Sequence, residues 1–107
     1  MKVSTARHIE NFLKDHQEEM IIFLKKLVAS ESPSHDSDSQ AVIMEILKET
    51  FESLGFHTCI FPGRKTGGFF YARPNEHEKG RDIQLMIGHC DTVWKKNTLE
   101  TSSTSNW

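Results

Sequence analysis

Between Asp82 and Gly88 the sequence reads Asp-Ile-Gln-Leu-Met-Ile-Gly, a short apolar run with a charged edge that leads directly into His89-Cys90-Asp91. A run of this length and character predicts a β-strand. Side chains alternate between the two faces of a strand. His89 and Asp91 therefore project to one side while the chain stays extended, and Cys90 to the other. An imidazole and a carboxylate side by side at a strand end suit a metal site. The imidazole ligates the ion, and a carboxylate behind it fixes the ring's tautomer and orientation. Open α/β sheets place their ligands just beyond the carboxyl ends of the strands, so position and chemistry agree. A histidine that is merely hydrogen-bonded is the alternative reading of this spacing.

The elements before this strand follow from periodicity. Thr5 to Ala29 reads as helix, because Ile9, Phe12, Leu13, His16, Met20, Phe23, Leu24, Leu27 and Val28 recur at steps of three and four. Ile21 and Ile22 widen the stripe, and the second half is expected to be buried on more than one side. Asp15 followed by Glu18 can cap a new helix, which leaves one long helix and two joined at Asp15 both open. Ser30 to Ser39 breaks the pattern, with Pro33 and the cap and turn formers Ser34, Asp36, Ser37, Asp38 and Ser39. His35, Asp36 and Asp38 resemble a metal cluster in composition but read as a solvated loop capping the next helix.

Gln40 to Leu54 is the next helix, with Ile43, Leu47, Phe51 and Leu54 in one stripe and Gly55 as a left-handed stop. Phe56 to Phe61 and Phe69 to Ala72 read as strands close enough for a hairpin. Lys65-Thr66-Gly67-Gly68 between them is a flexible link without phosphate-loop spacing. Pro74 to Gly80 is a polar turn in which His77 faces solvent. The order is helix, helix, strand, strand, strand, an α/β pattern in which the third strand can adjoin the second, with its direction left open.

The chain has 107 residues and a net charge of −2, with acids and bases mixed along its length. That is enough for one small domain, which buries only about two thirds of its unfolded surface. No basic block points to nucleic acid, and no apolar run approaches the ~18 residues of a membrane span. No secretory core follows the amino terminus. Cys59 and Cys90 make no disulfide framework, and two free thiols in a reducing cytoplasm are expected.

Gly88-His89-Cys90-Asp91-Thr92-Val93 resembles the first metal-binding motif of the di-zinc metallopeptidases that include aminoacylase, acetylornithine deacetylase and glutamate carboxypeptidase. Trp94, Lys96, Asn97, Thr98, Leu99 and Glu100 resemble the glutamate carboxypeptidase-like branch. Ser32-Pro33-Ser34-His35-Asp36 is similar to that family's approach between two helical stretches. The resemblance runs from about Asp15 to Glu100, and its most specific part is the His-x-Asp-Thr-Val core. Lys95 departs from it, standing where relatives of this branch often have proline. The polar stretch 101–107, expected to be disordered, departs as well.

The resemblance implies an α/β fold, two amino-terminal helices packed on a mixed three-stranded sheet within a larger catalytic domain, and hydrolysis of an amide in a peptide or N-acyl amino acid by two zinc ions. It assigns His89 as the first metal ligand, and Asp91 as the acid that orients this histidine and supports catalysis. The bridging acid, the general base and a late histidine have no counterpart in this sequence. The family is several times longer, so residues 1–100 are expected to be the amino-terminal part of the catalytic domain, truncated or frame-altered and inactive alone. A small non-enzymatic α/β interaction module is the alternative.

Overall fold

The computed structural model describes residues 3–98; the tail expected at 101–107 lies outside them. The chain divides into two compact units, residues 3–29 and residues 30–98.

The first unit holds helix α1 (Val3–Asp15) and helix α2 (Gln17–Ala29). Of the two readings left open by the sequence, the structure shows the two-helix form, with the break at His16. The break is shallow. His16 N–H still donates to the Phe12 carbonyl at 3.1 Å, and Met20 N–H to that of His16 at 3.0 Å. What disturbs the turn is the imidazole itself. It stacks on the Phe12 ring at 4.0 Å, and its Nδ1 lies 2.8 Å from the same Phe12 carbonyl. Side chain and backbone thus compete for one acceptor. Glu18 and Glu19 in the first turn of α2 and Lys26 in its last suit the helix dipole. The burial expected for α2 is not found: none of its residues is buried, and Met20, Ile22 and Leu24 are largely exposed. Two short helices can offer each other only one stripe apiece, and this stripe is wider than that.

The second unit is built on helix α3 (Ser37–Ser53) and a two-stranded antiparallel sheet of β1 (Phe56–Phe61) and β2 (Phe69–Pro74). The helix begins three residues before the expected Gln40, because Asp36 is the cap. Its carboxylate accepts from Ser39 N–H at 3.1 Å and from the Ser39 hydroxyl at 2.8 Å, satisfying donors the helix start leaves free. The helix stops at Leu54, followed by Gly55 at φ +85°, a conformation open to glycine at no steric cost. The strands pair from Phe56↔Pro74 to Phe61↔Phe69.

Ile43 and Met44 are the buried apolar residues of α3, and two turns on, Phe51 meets Phe56 edge-on at 5.2 Å and Phe70 at 5.5 Å. These contacts seat α3 on the hairpin. Leu54, assigned to the same stripe by periodicity, is 69% exposed, since the helix has already ended there.

The expected third strand does not form among the described residues. Asp82–Gly88 carries no ladder, and the mixed three-stranded sheet reduces to two antiparallel strands. Ile83, Leu85, Met86 and Ile87 are 74–87% exposed. Ile83, Leu85 and Ile87 share one face and Met86 stands on the other beside Asp82 and Gln84. Such a run needs a pairing strand and a covering layer, and the described residues of this unit give it neither. Among the described residues no helix is long and apolar enough to cross a membrane.

Candidate functional site

Since no strand carries His89 and Asp91, something else must place them, and it is the loop before α3. Pro33 and Thr92 form an isolated parallel bridge. Thr92 N–H donates to the Ser32 carbonyl and Ser34 N–H to the Thr92 carbonyl, each at 2.8 Å. Two serine hydroxyls complete the clip. That of Ser32, only 1% exposed, donates to the Cys90 carbonyl at 2.5 Å. That of Ser34 lies 2.7 Å from Asp91 Oδ2 and 2.9 Å from the Thr92 carbonyl. Residues 90–92 are thus held over their whole length by Ser32 and Ser34.

The loop is itself anchored from behind. Gln40, 5% exposed, donates through Nε2 to the carbonyls of Pro33 and Ser34, both at 2.9 Å. Its Oε1 accepts from Gly67 N–H at 2.7 Å. The amide group is satisfied on both sides, as a buried amide needs to be. On the far side of the site, Lys96 Nζ lies 3.2 Å from Asp36 Oδ2, and Asn97 N–H donates to Glu31 Oε1 at 2.9 Å.

Within this frame the His89 and Asp91 side chains lie together. The ring Nδ1 is 3.2 Å from the Asp91 carbonyl oxygen and 3.4 Å from its Oδ1. The shorter contact is to the backbone, and the carboxylate stands just behind it. The His89 side chain is 85% exposed, so with Nδ1 turned inward, Nε2 faces solvent. The Ser34 hydroxyl, more than His89, holds the Asp91 carboxyl below its ordinary pKa, which keeps it ionised at neutral pH. Asp36 is lowered to about 2, first by its bonds from Ser39 and then by Lys96. Cys90 is half-buried and free. Burial, with the Asp91 charge beside it, raises its thiol. A raised thiol is a poor nucleophile and a poor metal ligand.

The other candidates do not converge on this pair. His57 is exposed on β1 and Cys59 is half-buried on the same strand. His35 is exposed one residue before the helix cap. His77 lines a separate open depression with Glu76, Glu78, Arg81 and Asp82. Among the described residues no group of three or more His, Cys, Asp or Glu side chains could hold a metal ion. A catalytic zinc needs about three protein ligands. The described residues therefore place one imidazole beside one carboxylate, and do not make a zinc centre by themselves.

Sequence reasoning missed the contribution of Ser32, Ser34 and Gln40. The serines read as turn and cap formers, and nothing local ties them to residues almost sixty positions away. No family model, no curated protein and no solved structure matches the chain.

Proposed function

We propose that this chain is the amino-terminal part of a zinc-dependent amidohydrolase, a carboxypeptidase or deacylase acting on peptides or N-acyl amino acids in the cytoplasm. The observation that carries the reading is the contact of His89 with Asp91, held by the serine clip. A metal-bound histidine usually donates its other ring N–H to a carboxylate or a backbone carbonyl, and Asp91 offers both within 3.4 Å. That arrangement leaves Nε2 of His89 as the ligand atom. Zinc, when bound, would polarise the amide carbonyl and acidify a water. This chain's share of the site is to orient one imidazole and keep one carboxylate ionised beside it. The remaining ligands and the general base come from sequence outside the described residues. In such an enzyme Asp82–Gly88 is the strand that completes a mixed three-stranded sheet, covered on both faces by the rest of the catalytic domain.

The test is zinc titration of the chain with ¹⁵N-labelled histidines, followed by incubation with an N-acyl amino acid or a dipeptide ending in glutamate. The expected result is that His89 Nε2 responds at lower zinc than His35, His57 or His77, with no turnover. A response at His89 no earlier than at the others would overturn the ligand assignment. Turnover lost in His89→Ala would overturn the claim that the site is incomplete.

A second reading is favoured by the exposed run Ile83–Ile87, which suits a non-enzymatic module that binds a partner through strand pairing. A dispersed amide spectrum from a monomeric chain with no selective zinc response at His89 would support it, and precipitation or broad lines would count against it.

A further inference from the structure

We propose that Ser34 is a positioning residue for the His89–Asp91 pair: its hydroxyl grips Asp91 Oδ2 and so turns Oδ1 toward the imidazole. The structural part of this inference stands on the contacts of Ser34, and its meaning for a metal rests on the reading of His89 as a ligand.

A serine hydroxyl has one proton to donate, and that of Ser34 has two acceptors in reach. Asp91 Oδ2 is at 2.7 Å and the Thr92 carbonyl at 2.9 Å. The Thr92 carbonyl already accepts from Ser34 N–H, whereas Oδ2 is charged and nearer. Charge-assisted bonds are the shorter and stronger ones, so the proton goes to Asp91. The donor is also fixed in place. Ser34 N–H is tied to Thr92, its carbonyl is tied to Gln40, and Gln40 is tied to Gly67. A hydroxyl on a backbone anchored at both ends has a defined direction. The carboxylate it holds is left with one oxygen, Oδ1, free to face His89 Nδ1. The Asp91 side chain is 42% exposed, and among the described residues its other side-chain partner is the exposed His89, so Ser34 supplies the constraint that selects its rotamer.

The experiment measures the Asp91 χ1 rotamer by three-bond couplings in the wild-type chain and in Ser34→Ala, Ser34→Thr and Ser34→Cys. The expected pattern is one rotamer in the wild type, averaging in Ser34→Ala, and one rotamer again in Ser34→Thr, with the β1–β2 amide shifts unchanged throughout. A single rotamer retained in Ser34→Ala would overturn the proposal. Should the alanine variant fail to fold, Ser34→Cys, close in size but a weak donor, answers the same question: averaging supports the role and a fixed rotamer removes it. Zinc is absent from this measurement, so its outcome is independent of the hydrolase reading, which the titration of His89 tests separately.

Discussion

The Ser32 hydroxyl donates to the Cys90 carbonyl at 2.5 Å across 58 residues of chain, from a serine that is buried to a cysteine that is half-buried. This bond and the two backbone bonds between Ser32, Ser34 and Thr92 tie the candidate site to the rest of its unit. Ser32→Ala leaves the Cys90 carbonyl without its donor. The expected cost is about 1–2 kcal/mol, that of an orphaned, partly buried acceptor. Urea denaturation should show a lower midpoint at unchanged slope, and a midpoint equal to wild type would mean that the clip adds nothing to stability.

Gln40 and Gly67 form the second anchor, and they predict a pair of effects. Gln40→Ala frees Gly67 N–H and removes the donor to two carbonyls, for an expected loss of about 2–3 kcal/mol. Gly67 is required for a different reason. A Cβ there would lie 2.6 Å from Gln40 Cβ and 2.9 Å from Met44 Cε. Met44 is 2% exposed and cannot simply swing away. Gly67→Ala should therefore destabilise by about 1–3 kcal/mol, the usual cost of overpacking. Because the two residues touch, the double variant should lose less than the sum of the singles, which a double-mutant cycle in urea would read directly.

What could be read in the sequence was local. The four-residue spacing of Ile43, Leu47 and Phe51 located α3 and its sheet-facing side, and Gly55 marked its end. The strands of the hairpin followed from Phe56–Phe61 and the aromatic run at Phe69. The pattern of Asp82–Gly88 also looked local, but strand formation needs a partner edge, and periodicity cannot say whether the chain contains one. The same limit applies at the site. The chemistry of His89 and Asp91 was visible in their residue types and spacing, whereas Ser34, which bonds Asp91 directly, lies 57 residues away in a stretch whose local chemistry reads as a turn and cap. Long-range hydrogen bonds leave no period in a sequence.

Asp36 gives a pH dependence with a definite sign. Its folded pKa is depressed to about 2 by the Ser39 bonds and by Lys96, against about 3.9 in an unfolded chain. A group whose folded pKa is depressed stabilises the fold above its unfolded pKa, and that contribution disappears as pH falls through the folded one. The cap on α3 should therefore be intact above about pH 4 and lost between about pH 4 and 2. Protection of the Ser39 and Gln40 amides against exchange, taken relative to the intrinsic rate at each pH and followed by NMR across that window, should fall in the wild type as the pH is lowered. In Asp36→Asn the cap is neutral at every pH, so the same amides should show a flatter profile. Identical profiles would exclude Asp36 as the source.

His89 should matter to zinc and hardly at all to the fold. Its side chain is 85% exposed, and among the described residues its polar contacts are with Asp91. His89→Ala is expected to change stability by less than about 0.5 kcal/mol, as surface substitutions do, while removing the selective zinc response. A loss well above that figure would show that the imidazole braces the 88–92 segment, and would weaken its assignment as a ligand.

The exposed run makes the last prediction. Ile83, Leu85 and Ile87 fall on one side of an extended chain and Met86 on the other, all at least 74% exposed, with no ladder to use their backbone groups. Five to seven apolar residues without proline and with little charge are the pattern that pairs between chains. A charge on such a segment blocks that pairing because the ammonium would have to be buried in the new sheet. Leu85→Lys and Ile87→Lys should each raise the concentration at which the chain stays monomeric, with light scattering as the measure. Neither should alter the urea midpoint, since both side chains are already in water. If the substitutions instead leave association unchanged, the contact lies elsewhere, and the exposed apolar side chains of α1 and α2, Phe12 and Ile22 among them, become the surfaces to charge next.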